Sequence, residues 1–171
     1  EEDREALDIA LMADLDRALV ALAAARGEEG GRTGEVLSGH LDTIARLTDA
    51  AGKSAATQPT AIRDKLIERI NGLIDGEAAI DPERLAQEAA LLAVKADVAE
   101  ELDRLVGHVA GARELLEKGG LVGRQMDFLS QEFAREANTL CAKSADAELT
   151  QLGLELKAVI DRLREQVQNL E

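Results

Sequence analysis

The last third of the chain decides the fold: it opens with Gly123-Arg124-Gln125-Met126-Asp127-Phe128-Leu129-Ser130-Gln131-Glu132 and closes with Arg164-Glu165-Gln166-Val167-Gln168-Asn169-Leu170-Glu171. A helix turns about 100° per residue, which places a run of apolar side chains on one face: Val122, Met126, Leu129, Phe133, Ala137 and Leu140. The opposite face has Gln, Asn and Arg where a solvated face usually has Glu and Lys: Arg124, Gln131, Arg135 and Asn138. The stretch therefore predicts an amphipathic helix with a chemically specific polar face.

Helices on either side of this stretch complete a predicted bundle of three helices. Asp81-Pro82-Glu83 has the residue types of a helix start, and only Gly107 and Gly111 interrupt the chain before Gly119-Gly120. We therefore expect one helix over residues 82–118, up to about 55 Å long. Its core stripe is expected to contain Leu85, Ala89, Leu92, Ala96, Ala99, Val106 and Val109.

The end of the chain carries an apolar stripe that follows a short turn at residues 144–146. The stripe has heptad-like spacing: Leu149, Leu152, Leu156, Ile160, Leu163, Val167 and Leu170. Such a stripe fits a coiled-coil or oligomer face, and it also fits packing against the two preceding helices, which is the commoner arrangement.

Residues 1–80 predict a long antiparallel helical hairpin, a coiled-coil-like arm ahead of the bundle. Apolar residues at helical spacing begin at Leu7 and resume at Val36 after residues 27–34, which contain four glycines. No strand precedes these glycines and no Gly-Lys-Ser/Thr follows, so a phosphate-binding loop is disfavoured and we expect a weak, continuous helix. A turn over residues 52–59 and a helix ending at Gly76 complete the hairpin. His40 is interpreted as a solvated or packing histidine.

Composition favours an all-α protein and limits its partners. Aromatic residues make up 1% of the chain and charged residues 32%, which suits helices packed through aliphatic side chains. The net charge of −14 argues against a simple electrostatic nucleic-acid binder, although residues 119–171 are the least acidic part. One cysteine, Cys141, excludes an internal disulfide framework. With no membrane-spanning run, we expect a cytoplasmic protein that does not bind membranes.

Four ionisable residues form a column away from the expected core stripe of the 82–118 helix: Asp97, Glu101, Arg104 and His108. At about 100° per residue they span only about 60° of arc. Such a column is consistent with a surface ladder of ion pairs or with a site for a divalent metal and proton transfer. Spacing alone favours the ladder.

Polar residues at fixed spacing resemble those of a known family. The chain contains Gly-Arg-x-x-Asp-Phe-Leu-x-Gln-Glu from Gly123, Arg-Glu-x-Asn-Thr from Arg135, Lys143-Ser144 and a terminal Arg-Glu-Gln-x-Gln-Asn-x-Glu. Upstream, Leu85-x-Gln87-Glu88, Lys95-x-Asp97, Glu100-Glu101-Leu102, Arg104-Leu105 and His108 continue the pattern. This string resembles the C-terminal region of the YicC-like bacterial proteins, most densely over residues 83–171. Cys141-Ala142 departs from that pattern.

The resemblance implies a domain organisation and an activity. It divides the chain into an arm (residues 1–80) and a C-terminal YicC-like helical domain (81–171), with the family's N-terminal domain not represented. It implies a metal-dependent endoribonuclease that cleaves RNA phosphodiester bonds, uses Mn²⁺ or Mg²⁺ and does not act on DNA. It also implies a homo-oligomer, with a hexameric ring as one form. Because the chain begins at Glu1 without Met, we expect a piece of a longer protein.

Residue roles follow from the resemblance and from residue type. The candidate catalytic residues are Glu101, His108 and Asp97. The candidate metal ligands are Glu88, Asp97, Glu101 and His108. The candidate RNA-binding residues are Arg104, Arg124, Phe128, Gln131, Arg135, Asn138 and Lys143, in which arginines hold phosphates and the aromatic ring stacks on bases.

The alternative hypothesis is a non-catalytic helical scaffold that assembles with its own copies or with a partner in RNA metabolism or stress response. The polar residues would then fix helix packing. Convergence of Asp97, Glu101, His108, Arg124 and Arg135 on one open cleft favours the enzyme, whereas pairing between buried helices favours the scaffold.

Overall fold

The described part of the protein is entirely helical outside its turns. The structure is a computed structural model that describes residues 2–55, 58–73, 82–168 and 170. Six helices occupy these ranges: α1 (Glu2–Ala55), α2 (Gln58–Leu73), α3 (Pro82–Lys95), α4 (Ala99–Lys118), α5 (Gly123–Lys143) and α6 (Ala147–Val167). The all-α prediction is confirmed. The predicted helix end at Gly76 and N-cap at Asp81 lie outside the described residues.

Four helices share one hydrophobic core: the second half of α1 together with α4, α5 and α6. Each packs on two neighbours, in the order α1, α4, α5, α6 and back to α1. Two contacts along each pair show that α4 runs antiparallel to α1 and to α5: Asp42–Arg113 with Gly52–Leu102, and Glu101–Lys143 with Arg104–Glu136. The fully buried centre consists of aliphatic side chains around one aromatic ring, including Leu41, Ile44, Leu105, Phe133, Leu140, Leu156 and Ile160.

The local signals of the C-terminal half are confirmed. α5 buries the predicted stripe, with Leu129 only partly buried. Gly119 and Gly120 end α4 with φ angles of 64° and 79°, a left-handed conformation that favours glycine. α6 begins after Asp146, whose Oδ1 accepts a hydrogen bond of 2.8 Å from the amide of Leu149. The heptad-like stripe of α6 packs into the core against α1 and α5.

The helix predicted over residues 82–118 is two helices. The chain leaves the helical conformation at residues 96–98, where Asp97 Oδ1 accepts a hydrogen bond of 2.9 Å from the amide of Ala99 and Val98 enters the core. A short acidic side chain that binds a nearby amide competes with helix continuation, so the break needs neither Pro nor Gly.

This break changes which face of α4 is buried. The buried face is Glu101, Leu105, Val109 and Ala112, whereas the expected stripe residues Ala99 and Val106 are exposed. Within α4 the stripe prediction was therefore wrong apart from Val109, whereas Leu85, Ala89 and Ala96 are partly buried. Glu101, Arg104 and His108 consequently face α5.

The arm also differs in its packing partners. α1 is continuous through residues 27–34, as predicted. However, α1 packs against α4 and α6, while α2 packs against α3. The bundle consequently has four helices, because the second half of α1 supplies core residues beginning at Leu37.

The first part of α1 extends away from this core. All side chains from Arg4 to Arg32 are exposed, including apolar ones at helical spacing such as Leu7, Leu11, Leu15 and Leu22. None of the described helices is long and apolar enough to cross a membrane.

Candidate functional site

Ionisable side chains line the contact between α4 and α5. Glu101, Arg104 and His108 project from α4, and Glu132, Glu136 and Lys143 project from α5. We call these six residues the α4–α5 seam. Antiparallel packing brings the start of α4 beside the end of α5, so each α4 residue meets an α5 partner.

Glu101 and Lys143 form a close ion pair at one end of the seam. Lys143 Nζ donates to both carboxylate oxygens of Glu101, at 3.0 and 3.1 Å. The Glu101 side chain is 6% exposed and that of Lys143 is 33% exposed. A buried carboxylate needs such a partner, and both of its oxygens are bound here.

Arg104 connects the middle of the seam to solvent. Its guanidinium pairs with Glu100 on its own helix and lies 3.4 Å from Glu136 Oε1 on α5. Desolvation lowers the pKa of Arg104, but the hydrogen bond to Glu100 and the charges of Glu100, Glu136 and Glu101 together raise it above its ordinary value. Arg104 therefore remains a cation between three carboxylates.

His108 lies at the other end of the seam beside two carboxylates. Its ring meets the Phe133 ring edge-on, with centroids 5.7 Å apart. Its Nε2 atom is buried and has no hydrogen-bond partner among the described residues. One ligand atom from each of His108, Glu132 and Glu136 lies within 4.8 Å of the others. These three are the potential metal-binding group found in the described part of the chain.

The outer surface of α5 carries a second feature. Five of the predicted RNA-binding residues are exposed along it: Arg124, Phe128, Gln131, Arg135 and Asn138. At about 100° per residue they occupy about 80° of arc, and at 1.5 Å per residue they extend over about 21 Å. We call this set the α5 outer stripe. Phe128 is 60% exposed, which is unusual for a phenyl ring in a folded helix.

The stripe and the seam are adjacent on α5. Glu132 follows Gln131 in sequence, and its carboxylate is 3.7 Å from the guanidinium of Arg135 on the stripe. Gln131 donates a hydrogen bond of 2.9 Å to Asp127 Oδ2. The α5 helix therefore carries buried acidic groups on its α4 side and uncharged or cationic polar groups on its outer side.

The predicted site residues do not all meet. Glu88 is exposed on α3. Asp97 lies just before α4, where its side chain accepts a hydrogen bond from the amide of Ala99. Glu101 and Lys143 pair with each other, whereas Arg104 and His108 lie beside Glu136, which was not predicted. Arg124 and Arg135 lie outside on the stripe.

Sequence reasoning missed Glu132 and Glu136. Their spacing of one helical turn was visible in the sequence, and both belong to the polar string quoted above. Their place in the seam depends on contacts with α4. Such contacts are distant in sequence: Arg104 and Glu136 are 32 residues apart.

The sequence of the chain is similar to that of a known bacterial family. Residues 51–171 match the family model described as "Endoribonuclease YicC-like, C-terminal". The whole chain is 42% identical to the "Probable endoribonuclease YicC" of Haemophilus influenzae and 36% identical to the protein of the same name from Clostridioides difficile. The chain spans 58% of the length of each of these relatives. The match covers α2 to α6 and the end of α1, and on this basis the chain belongs to the YicC-like endoribonuclease family.

Proposed function

We propose that this chain is the RNA-binding and metal-binding part of an endoribonuclease. Two relatives that align over its whole length are named as probable endoribonucleases. The structural observation that carries the proposal is the placement of the α5 outer stripe beside the His108–Glu132–Glu136 cluster. RNA cleavage requires both a surface that holds single-stranded RNA and groups that act on a phosphate.

The α5 outer stripe has the chemistry of an RNA-binding surface. Arginines hold phosphates through two parallel hydrogen bonds, amide side chains bind base edges or ribose hydroxyls, and an exposed aromatic ring stacks on a base. Because the chain has a net charge of −14, general electrostatic attraction cannot supply this binding. We infer that RNA is held locally along α5.

Arg104 and Lys143 have a different role from the stripe arginines. Both are engaged by carboxylates within the seam. Their expected role is to orient Glu136 and Glu101, with Arg104 close enough to solvent to approach a phosphate as well.

We further propose that cleavage depends on a divalent metal. Such an ion lowers the pKa of a bound water and neutralises charge developing on the phosphate. The seam offers the donor types of a metal site: one ligand nitrogen of His108 lies within 4.8 Å of carboxylate oxygens of Glu132 and Glu136, and the buried Nε2 of His108 has no hydrogen-bond partner among the described residues. Among the predicted ligands, His108 is in this position. Glu101 is bound by Lys143, and Glu88 and Asp97 lie elsewhere.

The test of this function is cleavage of an end-labelled structured RNA. The chain and its Haemophilus influenzae relative are incubated with Mn²⁺, with Mg²⁺ or with EDTA. We expect cleavage that requires the metal and disappears in EDTA. Cleavage by the relative but not by the chain would contradict the proposal for this chain.

The RNA-binding surface is tested with Arg124→Gln combined with Arg135→Gln. We expect RNA affinity to fall about 10-fold, and the slope of log affinity against log salt to decrease by about 0.7 for each lost phosphate contact. Arg46→Gln, an exposed arginine on α1, is the matched control and should bind as wild type. Equal loss in both variants would show a general charge effect and remove the stripe from the proposal.

A second candidate function is assembly. The exposed leucines at the start of α1 form an unpartnered apolar face, and a contiguous face of this kind marks interaction surfaces. We propose that the protein forms homo-oligomers, with a ring as the expected form, and that a purely structural role is the alternative to catalysis. Light scattering across a concentration series tests assembly, and the cleavage assay separates the two functions.

A further inference from the structure

The helices α2 and α3, which we call the α2–α3 pair, pack on each other rather than along the bundle. In the described part of the chain, α2 packs along α3, whereas α1, α4, α5 and α6 pack along one another. None of the described residues of the pair belongs to the hydrophobic core or packs against it. Ile62, which is 7% exposed, is the one side chain of the pair that is buried among those described. Few buried apolar contacts therefore hold the pair to the bundle, which is typical of a unit that opens by itself.

The contact between the α2–α3 pair and the bundle contains two open cavities. A cavity of about 500 Å³ lies between the pair and the ends of α1 and α4 that face it. Another, of about 340 Å³, lies between the pair and the end of α5. Ile62 lines both cavities. Side chains that face such openings lack protein atoms on one side and lose the dispersion contacts that hold packed helices together.

The two connections between the pair and the bundle lie side by side. Ala55, the last residue of α1, and Pro59, near the start of α2, line the same cavity as Ala96 and Val98. The chain is not helical at residues 96–98, and the Val98 side chain is buried in the core. Hinges form at a few residues at the ends of elements. Two adjacent connections allow rotation about a single axis, with the bundle side of that axis fixed by Val98.

The pair also lies over the end of α5. Leu66 of α2 and Leu92 of α3 line the smaller cavity together with Ala142 and Lys143 of α5. Lys143 is the partner of Glu101 in the seam, and 33% of its side chain is exposed. Rotation of the pair away from α5 removes one wall of this cavity and exposes more of Lys143 to solvent.

We propose that the α2–α3 pair is a lid that turns as one body about residues 96–98 and covers or uncovers Lys143. The bundle keeps its core during this motion, because no described residue of the pair is part of that core. The motion belongs to the free protein and requires neither RNA nor a metal. It therefore stands or falls independently of the proposed function.

The expected displacement is large enough to measure. Arg84 is exposed on α3 and lies about 17 Å along the helix from Lys95. A rotation of about 20° at residues 96–98 moves Arg84 by about 6 Å.

Double electron–electron resonance between spin labels tests the lid. In a Cys141→Ser background, one label pair joins the lid to the bundle, at Arg84→Cys and Gln151→Cys. A matched control pair lies within the bundle, at Glu114→Cys and Gln151→Cys, and a third lies within the lid, at Thr60→Cys and Arg84→Cys. All of these positions except Cys141 are exposed. Labelled protein is diluted with unlabelled protein so that the distances are measured within one chain.

We expect the lid-to-bundle distances to spread over about 6 Å more than either control pair. Ile62→Ala should widen the lid-to-bundle distribution further and leave the bundle pair unchanged, because Ile62 lies outside the core. Ile62→Val, which removes one methyl group, takes its place if circular dichroism shows that Ile62→Ala has lost helix.

Three results would overturn the lid. The first is a lid-to-bundle distribution as narrow as that of the bundle pair. The second is an equally broad distribution within the lid, which would show that α2 and α3 separate instead of moving as one body. The third is an Ile62 substitution that widens the bundle pair as much as the lid-to-bundle pair, because the lid and the bundle would then be one cooperative unit.

Discussion

Glu101 and Glu136 line the same contact between α4 and α5, about two helical turns apart because Glu101 pairs with Lys143, seven residues after Glu136. They differ in their partners. Glu101 is fully bound by Lys143, which makes it a packing element despite its charge. Glu136 faces His108 and Glu132, which makes it a candidate ligand. Both residues are glutamates, and their different neighbours give them different expected roles.

The Glu101–Lys143 pair gives a stability prediction at this scale. Lys143→Met leaves Glu101 buried without its partner. We expect the free energy of unfolding to fall by about 1–3 kcal/mol, less than for a fully enclosed pair because the Lys143 side chain is 33% exposed. Adding Glu101→Leu should recover part of this loss, because the unpaired charge is then removed.

Urea unfolding followed by circular dichroism at 222 nm measures the effect. If the double variant is destabilised by the sum of both single changes, the two residues do not interact and the pair is not structural.

Sequence reasoning at residue scale succeeded where one helix determines the answer. The α5 outer stripe follows from helical spacing alone, so Arg124, Gln131 and Asn138 were placed on the exposed face correctly. It failed for Glu132 and Glu136 because their significance arises from α4, a separate helix. Spacing within α5 does not reveal which neighbour they face.

At the scale of elements, glycines decide how closely helices approach. A Cβ atom at Gly153 on α6 would lie 2.5 Å from Cys141 Sγ and 3.0 Å from Leu140 Cδ2 on α5. A side chain at position 153 would therefore force Cys141 and Leu140 to shift. Gly107 on α4 faces open space, with no atom within 4 Å of such a Cβ.

These two glycines make a matched pair of substitutions. Gly153→Ala should lower the free energy of unfolding by about 1–3 kcal/mol, because the added methyl overpacks the α5–α6 contact. Gly107→Ala should raise it by about 0.5–1 kcal/mol, because alanine favours an exposed helix interior. Urea denaturation measures both, and a Gly153→Ala variant as stable as wild type would contradict the close contact.

The predicted long helix over residues 82–118 shows the limit of reading elements from sequence. Helix breaks are usually signalled by Pro or Gly, and neither occurs at residues 96–98. The break occurs where the Asp97 side chain accepts a hydrogen bond from the amide of Ala99 and where the Val98 side chain is buried in the core. Both effects depend on the folded core, so the composition of the segment does not show them.

At the scale of the whole molecule, α1 divides into a packed part and an exposed part. Its core contribution begins at Leu37, whereas residues 4–32 are exposed throughout. The all-α class was predictable because every segment has helical spacing. The four-helix bundle was not, because α1 contributes to it from the distant end of the chain.

Removal of residues 1–26 tests this division. We expect the bundle to keep its free energy of unfolding within about 1 kcal/mol, because no core residue is lost. Thermal unfolding followed by circular dichroism should show a similar midpoint with a smaller helical signal. Loss of the cooperative transition would show that the start of α1 is required for the fold.

The glycines at positions 27, 30, 31 and 34 separate these two parts of α1, and none has a neighbouring atom that a side chain would meet. Sharp changes of helix direction arise where small residues such as Gly cluster. From Arg4 to Gly30 the helix is a lever about 39 Å long. A change of about 20° at its pivot would sweep the tip through about 13 Å. The range of positions that the apolar face at the start of α1 can take therefore depends on how stiff the helix is over residues 27–34.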